Sequence, residues 1–464
     1  MPSILGANTL SSGYDVDNSC VFDSATDAHM HITYGSAGNQ KKWSWSGWVK
    51  RGTHYTTQQN IFSTGTSNVN FVVIYFSTAG KLTYYDATST ATTAFLDTNA
   101  QFRDPGAWMH ILVSIDTTLS TANNRQRIWV NGTEQTSFAN RANYDQNTDT
   151  KINGDVKHLL GGSFTGTSNI EFDGHMAEVV FQDGVAHTGA GDFGEFDSTS
   201  PTIWKPKDVS GLSFGSNGFY LEFKQTGTSA NASGIGADTS GNTNHLTVSA
   251  IAATDQSTDT CTNNFCTWNA IAAPYSAPTL SEGNTKVTNN TSQWQGAIGT
   301  FGLSQGKWYW EARFDTTTYT YNHGVIDESV NFSDQNPMNA NGYTGFYNYD
   351  GGEIRYNGGT TSSNYGTFGT NDIIGIALNM DDKQISFYKN GSAIVSNFGL
   401  STTGQTLVFP STTYYSGGYC SYNFGNASYA ISSGNSDADG FGNFEYSVPS
   451  GYFALCTKNL AEYG

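Results

Sequence analysis

Ile385-Ser-Phe-Tyr-Lys-Asn-Gly391 reads as a strand that runs directly into its turn. Ile385 and Phe387 share one face and Ser386 and Tyr388 the other, the period of two that a pleated strand requires. Asn390-Gly391 supplies two residues that enter positive φ at low cost, so the turn is of type I′ and the next strand returns antiparallel. Arg127-Ile-Trp-Val-Asn-Gly132 repeats the design in the first half of the chain. Shared hairpin physics accounts for the repetition without duplication. Asn-Gly and Asp-Gly dipeptides recur from Asn131-Gly132 to Asp439-Gly440, many of them flanked by apolar runs. Antiparallel sheets are expected throughout.

Composition agrees. Of 464 residues, 13% are charged and 14% aromatic, with 52 glycines. No Ala/Leu/Glu/Lys/Arg pattern at helical spacing persists beyond two turns, so little helix is expected. Strands are predicted in the first half at 43–50, 70–76, 81–85, 108–116, 126–130 and 174–182. They resume at 306–314, 345–349, 353–356, 373–378, 384–389 and 419–424. Between about 226 and 284 the alternation gives way to Thr, Ser, Asn, Gly and Ala, which reads as a connection that packs along the modules or pairs short strands near 245–248. The predicted fold is all-β, two antiparallel β-sandwich (jelly-roll) domains in tandem, divided as 1–225, a connecting segment 226–282, 283–430 and a C-terminal extension 431–464.

The net charge of −18, with 21 Lys and Arg against 39 Asp and Glu, leaves no basic surface to neutralise a row of phosphates. Nucleic acid is not an expected partner. The opening residues lack the basic and apolar regions of a secretory signal, and no run is long and apolar enough to insert in a membrane. Cys20, Cys261, Cys266, Cys420 and Cys456 are odd in number and scattered, so unpaired thiols are expected even at the close pair Cys261 and Cys266.

Trp45-Ser-Gly-Trp48, Ile61-Phe-Ser, Trp108-Met-His110-Ile, Ile128-Trp-Val-Asn-Gly132, Leu159-Leu-Gly-Gly162 and Phe172-Asp-Gly174 follow one another in an order that resembles the laminin-G-like jelly roll of the concanavalin A-like superfamily, over residues 15–225. Gly306-Lys-Trp-Tyr-Trp-Glu311, Asn371-Asp-Ile-Ile-Gly-Ile-Ala-Leu378, the hairpin above, Phe409-Pro410 and Asn423-Phe-Gly425 resemble a SPRY domain over 283–430. With the chain's opening Met1-Pro-Ser-Ile-Leu-Gly-Ala-Asn8 and its last stretch from Pro449, the combination is similar to structural proteins of marine phages. That resemblance implies a non-enzymatic virion protein on a fibre, tail or capsid surface, made in the host cytoplasm without a signal peptide. It implies a homo-oligomer among other virion proteins, binding host-surface glycan or another virion component. A purely architectural subunit and a glycan-cleaving depolymerase are the rivals.

The depolymerase reading rests on Glu171-Phe-Asp173 and Glu178. A retaining glycosidase needs two carboxylates about 5 Å apart across the sugar. Residues 171 and 173 share a strand face and 178 has the opposite parity unless a bulge intervenes at Gly174. No cofactor is required by this reading. Calcium is possible at Asp145, Asp149, Asp155 and Asp173, because jelly rolls of this superfamily use loop oxygens as hard ligands. His29 and His31 could face one way on a strand but lack a third donor. Gly161-Gly-Ser-Phe-Thr-Gly166 lacks the Lys and helix of a phosphate cradle. Aromatics supply the remaining candidates for ligand contact: Tyr347, Tyr349 and Tyr356 on one hairpin, and Tyr414, Tyr415 and Tyr419 around a Gly-rich loop. Alternation puts Tyr347 and Tyr349 on one face and Phe346 on the other.

Overall fold

The computed structural model describes residues 13–52, 57–88, 91–164, 170–272, 276–289, 291–316, 320–329, 341–348, 351–401 and 407–464. These form two units, one ending at Thr262 and the other beginning at Asn263. Each is a sandwich of two sheets around its own apolar core. Among the described residues the α-helix is Thr457–Tyr463, and no helix is long and apolar enough to cross a membrane.

In the first unit one sheet runs Thr133–Glu134, Gln126–Val130, Trp108–Asp116, Lys42–Arg51, Gly174–Asp183, Ser19–Phe22 and Gln256–Ser257, with Phe219–Leu221 also paired to Gly174–Asp183. We call it the Trp45 sheet. The facing Tyr75 sheet runs Phe138–Ala142, Ala91–Gln101, Lys81–Thr88, Asn70–Phe76, Gln59–Ser67, Lys157–Leu160, His29–Thr33 and Thr247–Ser249. Trp43, Trp45 and Phe181 from one sheet meet Phe62, Ile74 and Tyr84 from the other, all fully buried. The Trp45 sheet buries its outer face too: Trp48, Trp108, Trp129 and Val180 lie under Phe193, Trp204 and Phe214. Apolar residues on both faces of Lys42–Arg51 follow from this double cover.

The expected connection at 226–282 is divided between the two units. Ile235, Leu246 and Ile251 enter the first core, and Thr247–Ser249 pairs with His29–Thr33. Cys266 and Trp268 enter the second. Residues 431–464 are likewise built in: Leu455 enters the main core, Phe453–Ala454 pairs parallel to Lys307–Phe314, and Phe444, Ala454 and Cys456 pack on Tyr309 and Ala377. Buried Glu311 fastens this segment, its carboxylate accepting from the backbone N–H of Glu445 at 3.0 Å and of Tyr446 at 2.8 Å. Burial raises its pKa, while those two N–H groups oppose the rise.

The second unit's Trp310 sheet runs Thr279–Ser281, Lys286–Thr288, Tyr419–Asn423, Lys307–Phe314, Ile373–Asn379, Gln384–Lys389 and Ser392–Gly399. Its Tyr415 sheet runs Trp294–Ile298, Val408–Tyr415, Thr320–Asp327, Tyr343–Tyr347, Glu353–Tyr356 and Gly359–Ser363. Positive φ at both Asn390 and Gly391, and at both Asn131 and Gly132, gives the two type I′ turns read from the sequence. All five cysteines are buried free thiols.

Candidate functional site

Asn70–Phe76 sends Val72, Ile74 and Phe76 into the core, so Phe71, Val73 and Tyr75 stand on the opposite face. There Val73 pairs with Ser63 and with Tyr85, and Tyr85 pairs with Phe95. The rings make a chain across three strands, Phe71 to Tyr85 at 5.7 Å and Tyr85 to Phe95 at 5.4 Å, both edge to face. Phe71, Tyr75, Tyr85 and Phe95 all remain partly exposed.

This face carries a groove of about 420 Å³, within the range of ligand-binding clefts. Phe71, Tyr75 and Tyr85 form its aromatic surface, and Gln58, Asn60 and Asn68 bring amides to it. The Gln58 amide donates to the Asn60 carbonyl at 2.8 Å, and Ser63 donates to the Gly162 carbonyl at 3.0 Å. The Tyr75 phenol is held above its ordinary pKa, chiefly by burial, so its hydroxyl stays a neutral donor and acceptor. Flat rings beside neutral amides and hydroxyls can hold a polar ligand with one apolar face.

Sequence reasoning misses this groove because it assigns every strand to a core. The signal is present in Asn70-Phe-Val-Val-Ile-Tyr-Phe76, which is apolar on both faces in a sheet whose outer face carries, among the described residues, no covering layer of the kind found on the Trp45 sheet.

Of the three acids proposed for glycan cleavage, Glu171 and Glu178 lie against different sheets. Glu171 bridges to Asn60, on a strand of the Tyr75 sheet. Glu178 lies in the Trp45 sheet, where a bulge between Ala177 and Val180 gives it φ of 50°. The bulge falls at Glu178 itself and not at Gly174. Its carboxylate accepts from the hydroxyls of Tyr14, at 3.0 Å, and Tyr220. Burial pushes its pKa up to about 7 against the pull of those two donors.

The calcium candidates do not converge either: among the described residues no group of three or more His, Cys, Asp or Glu side chains could hold a metal ion. Asp145 and Asp155 are exposed, Asp149 lies 3.8 Å from Lys41, and Asp173 is buried, its carbonyl accepting from Gly52. His29 and His31 do share a face, their rings 5.8 Å apart.

The tyrosines divide. Tyr414 is in the core, sharing a hydrogen bond with the Tyr422 hydroxyl. Tyr356 packs edge to face on Phe398 at 5.7 Å. Tyr347 stands on the face opposite Phe346, as alternation requires, yet is only 6% exposed, with the Arg355 guanidinium 4.7 Å over its ring. Tyr349 lies outside the described residues. Tyr415 and Tyr419 are open, at 40% and 36% exposure.

Two family models match the chain. Residues 24–187 match the concanavalin A-like lectin/glucanases superfamily, and residues 307–427 match the SPRY domain. The chain carries a concanavalin A-like domain and a SPRY domain. Together these domains suggest carbohydrate or protein binding. Among solved structures, the SPRY domain of human HERC1 is 18% identical, covering 33% of this chain and 96% of its own, with a TM-score of 0.28. The heptameric SAP-like pentraxin of Limulus polyphemus is 13% identical, covering 38% and 80%, with a TM-score of 0.29. No curated protein matches. The Tyr75 groove belongs to the concanavalin A-like domain, and Tyr347, Tyr415 and Tyr419 to the SPRY domain.

Proposed function

We propose that the chain is a non-enzymatic recognition protein whose concanavalin A-like domain takes glycan in the Tyr75 groove. The observation that carries this reading is the pairing of Phe71, Tyr75 and Tyr85 with the amides of Gln58, Asn60 and Asn68 around one cleft. Aromatic faces meet the C–H face of a sugar, and amides serve its hydroxyls. The assignment of Glu171 and Glu178 to different sheets speaks for binding without cleavage. The setting on a phage particle, with other virion proteins as neighbours and host-surface glycan as target, rests on the resemblance of the two-domain combination, with the stretches Met1–Asn8 and from Pro449, to marine phage structural proteins.

The test is a glycan array probed with the whole chain, repeated with Tyr75→Ala and Tyr85→Ala and followed by assay of bound polysaccharides for new reducing ends. Binding lost in both variants, with no new ends, supports recognition. New reducing ends that disappear in Glu178→Gln would make the protein a depolymerase. Absence of binding and of cleavage would leave it architectural.

A further inference from the structure

The Tyr75 groove has no charged residue in its described lining. Its polar members are Gln58, Asn60, Ser63 and Asn68, and the others are apolar or aromatic. Between residues 7 and 262, the segments outside the described residues, 7–12, 53–56, 89–90 and 165–169, contain no Asp, Glu, Lys or Arg either. Charged side chains stand around the groove instead. Tyr75 pairs with Thr83 and Thr83 with Asp97, whose carboxylate accepts from Lys81 Nζ at 3.1 Å and from Thr83 Oγ1 at 3.2 Å. Lys157 lies across the Gln59–Ser67 strand near His31, whose pKa is lowered by burial and then by the Lys157 charge. Glu171 follows Ile170 and bridges to Asn60, and it is 6% exposed with no hydrogen-bond partner at Oε2. None of these four charged residues lines the groove.

Hydrogen bonds within the lining fix what it can offer a ligand. The Gln58 amide donates to Asn60 Oδ1, which leaves Gln58 Oε1 as an acceptor and Asn60 Nδ2 as a donor. Ser63 gives its proton to the Gly162 carbonyl, so its oxygen has only lone pairs left. A sugar hydroxyl answers both kinds of group, because it donates and accepts. A carboxylate or a sulfate ester only accepts, and would set a negative oxygen against Gln58 Oε1 and Ser63 Oγ. It would also give up its hydration with no cation inside the groove to replace it, a penalty far above that of a hydroxyl.

We infer that the Tyr75 groove selects neutral saccharides and rejects acidic ones, whether uronate, sialylated or sulfated. Resting on the groove's reading as a glycan site, this assignment adds the class of glycan. Phe71, Tyr75 and Tyr85 meet the C–H face of either class alike, so the discrimination comes from the amides and from Ser63. The net charge of −18 repels anions as well, but from a distance that salt screens. Rejection inside the groove acts at contact and survives salt.

Calorimetric titration of the whole chain tests the assignment, with oligosaccharides of glucose, mannose, galactose and N-acetylglucosamine as probes. Each is used in its native form, oxidised at the primary hydroxyls to the uronate, and as the uronamide, which keeps the uronate's shape and removes its charge. At least one native probe should bind and should lose binding in Tyr75→Ala and in Tyr85→Ala. Its uronate should bind at least tenfold more weakly, at low salt and equally in about 1 M NaCl, where screening acts beyond about 3 Å. Its uronamide should recover most of the affinity. A uronate that binds the wild type as tightly as the native probe, and is lost in Tyr75→Ala, overturns the inference and leaves the glycan reading standing. So does a uronate that regains native affinity in high salt, which would assign the rejection to net charge, and so does a uronamide as weak as the uronate, which would assign it to shape. Binding of no probe in any form, or binding untouched by both tyrosine variants, overturns the glycan reading and this inference with it.

Discussion

Lys50 Nζ donates to Asp259 Oδ2 at 2.6 Å, and neither side chain is more than 2% exposed. Trp108 Nε1 donates to the other carboxylate oxygen at 2.9 Å, and Ser19 Oγ donates to the Asp259 carbonyl at 2.6 Å. A residue from the stretch without strand pattern is thereby tied to the Trp45 sheet. Removing one partner leaves the other charge buried, so Asp259→Ala should destabilise the first unit by about 3–5 kcal/mol. Asp259→Leu combined with Lys50→Met should recover most of the loss. Denaturant midpoints of the single and double variants decide it. Equal stability of Asp259→Ala and wild type would mean that the pair is not formed.

The unit boundary gives a second expectation. Residues 7–262 and 263–464, made separately, should each unfold in one cooperative transition. A first piece cut at 225 loses Ile235, Leu246 and Ile251 from its core and Asp259 from beneath Lys50. It should melt well below the piece ending at 262, and calorimetry compares the two directly.

Gly391 has φ of +78°, and a Cβ there would meet Tyr446 Cδ1 at 2.8 Å. Gly391→Val combines left-handed strain with a clash, and should cost about 1–2 kcal/mol from the backbone alone. Tyr446 shares the Glu311 carboxylate with Glu445, so its displacement should also raise amide exchange at 445 and 446. Unchanged exchange there would show that the ring yields without disturbing the backbone.

Glu178 should make the first unit's stability depend on pH. Its folded pKa of about 7 exceeds the ordinary 4.5, so between those values the folded state binds more protons than the unfolded one. Stability therefore falls as pH rises through this window, by up to about 3 kcal/mol from this group. The difference between wild type and Glu178→Gln, measured by denaturation at pH 4.5 and at pH 7, should change by that amount. A difference constant with pH would place the Glu178 pKa near its usual value.

Regular strands were legible in the sequence because one residue in two reports a face. Asn70–Phe76, Trp108–Asp116, Gln126–Val130, Glu353–Tyr356 and Gln384–Lys389 begin and end where the pattern placed them. Ile235, Leu246 and Ile251 were not legible as core, because irregular backbone carries apolar anchors to the interior without a period. Alternation assigned Tyr347 to the face away from Phe346, but it says nothing of what lies above that face, where Arg355 and Trp294 crowd the ring. The groove escaped for the complementary reason: Phe71 and Tyr75 look like core residues until the layer that would cover them proves to be absent from the described chain.

Glu311 sits on a central strand of the Trp310 sheet, yet two of its donors are backbone N–H groups 134 and 135 residues further along. Such a contact sets an order of events during synthesis. While the ribosome is still making the chain near residue 430, the sheet around Trp310 is already available, but a carboxylate near its middle has no N–H donors from 445 and 446 and the Phe453–Ala454 strand has not arrived. A chain that stops short of 445 therefore holds a sandwich whose buried Glu311 lacks two backbone donors and whose Lys307–Phe314 strand lacks its partner at Trp308 and Tyr309.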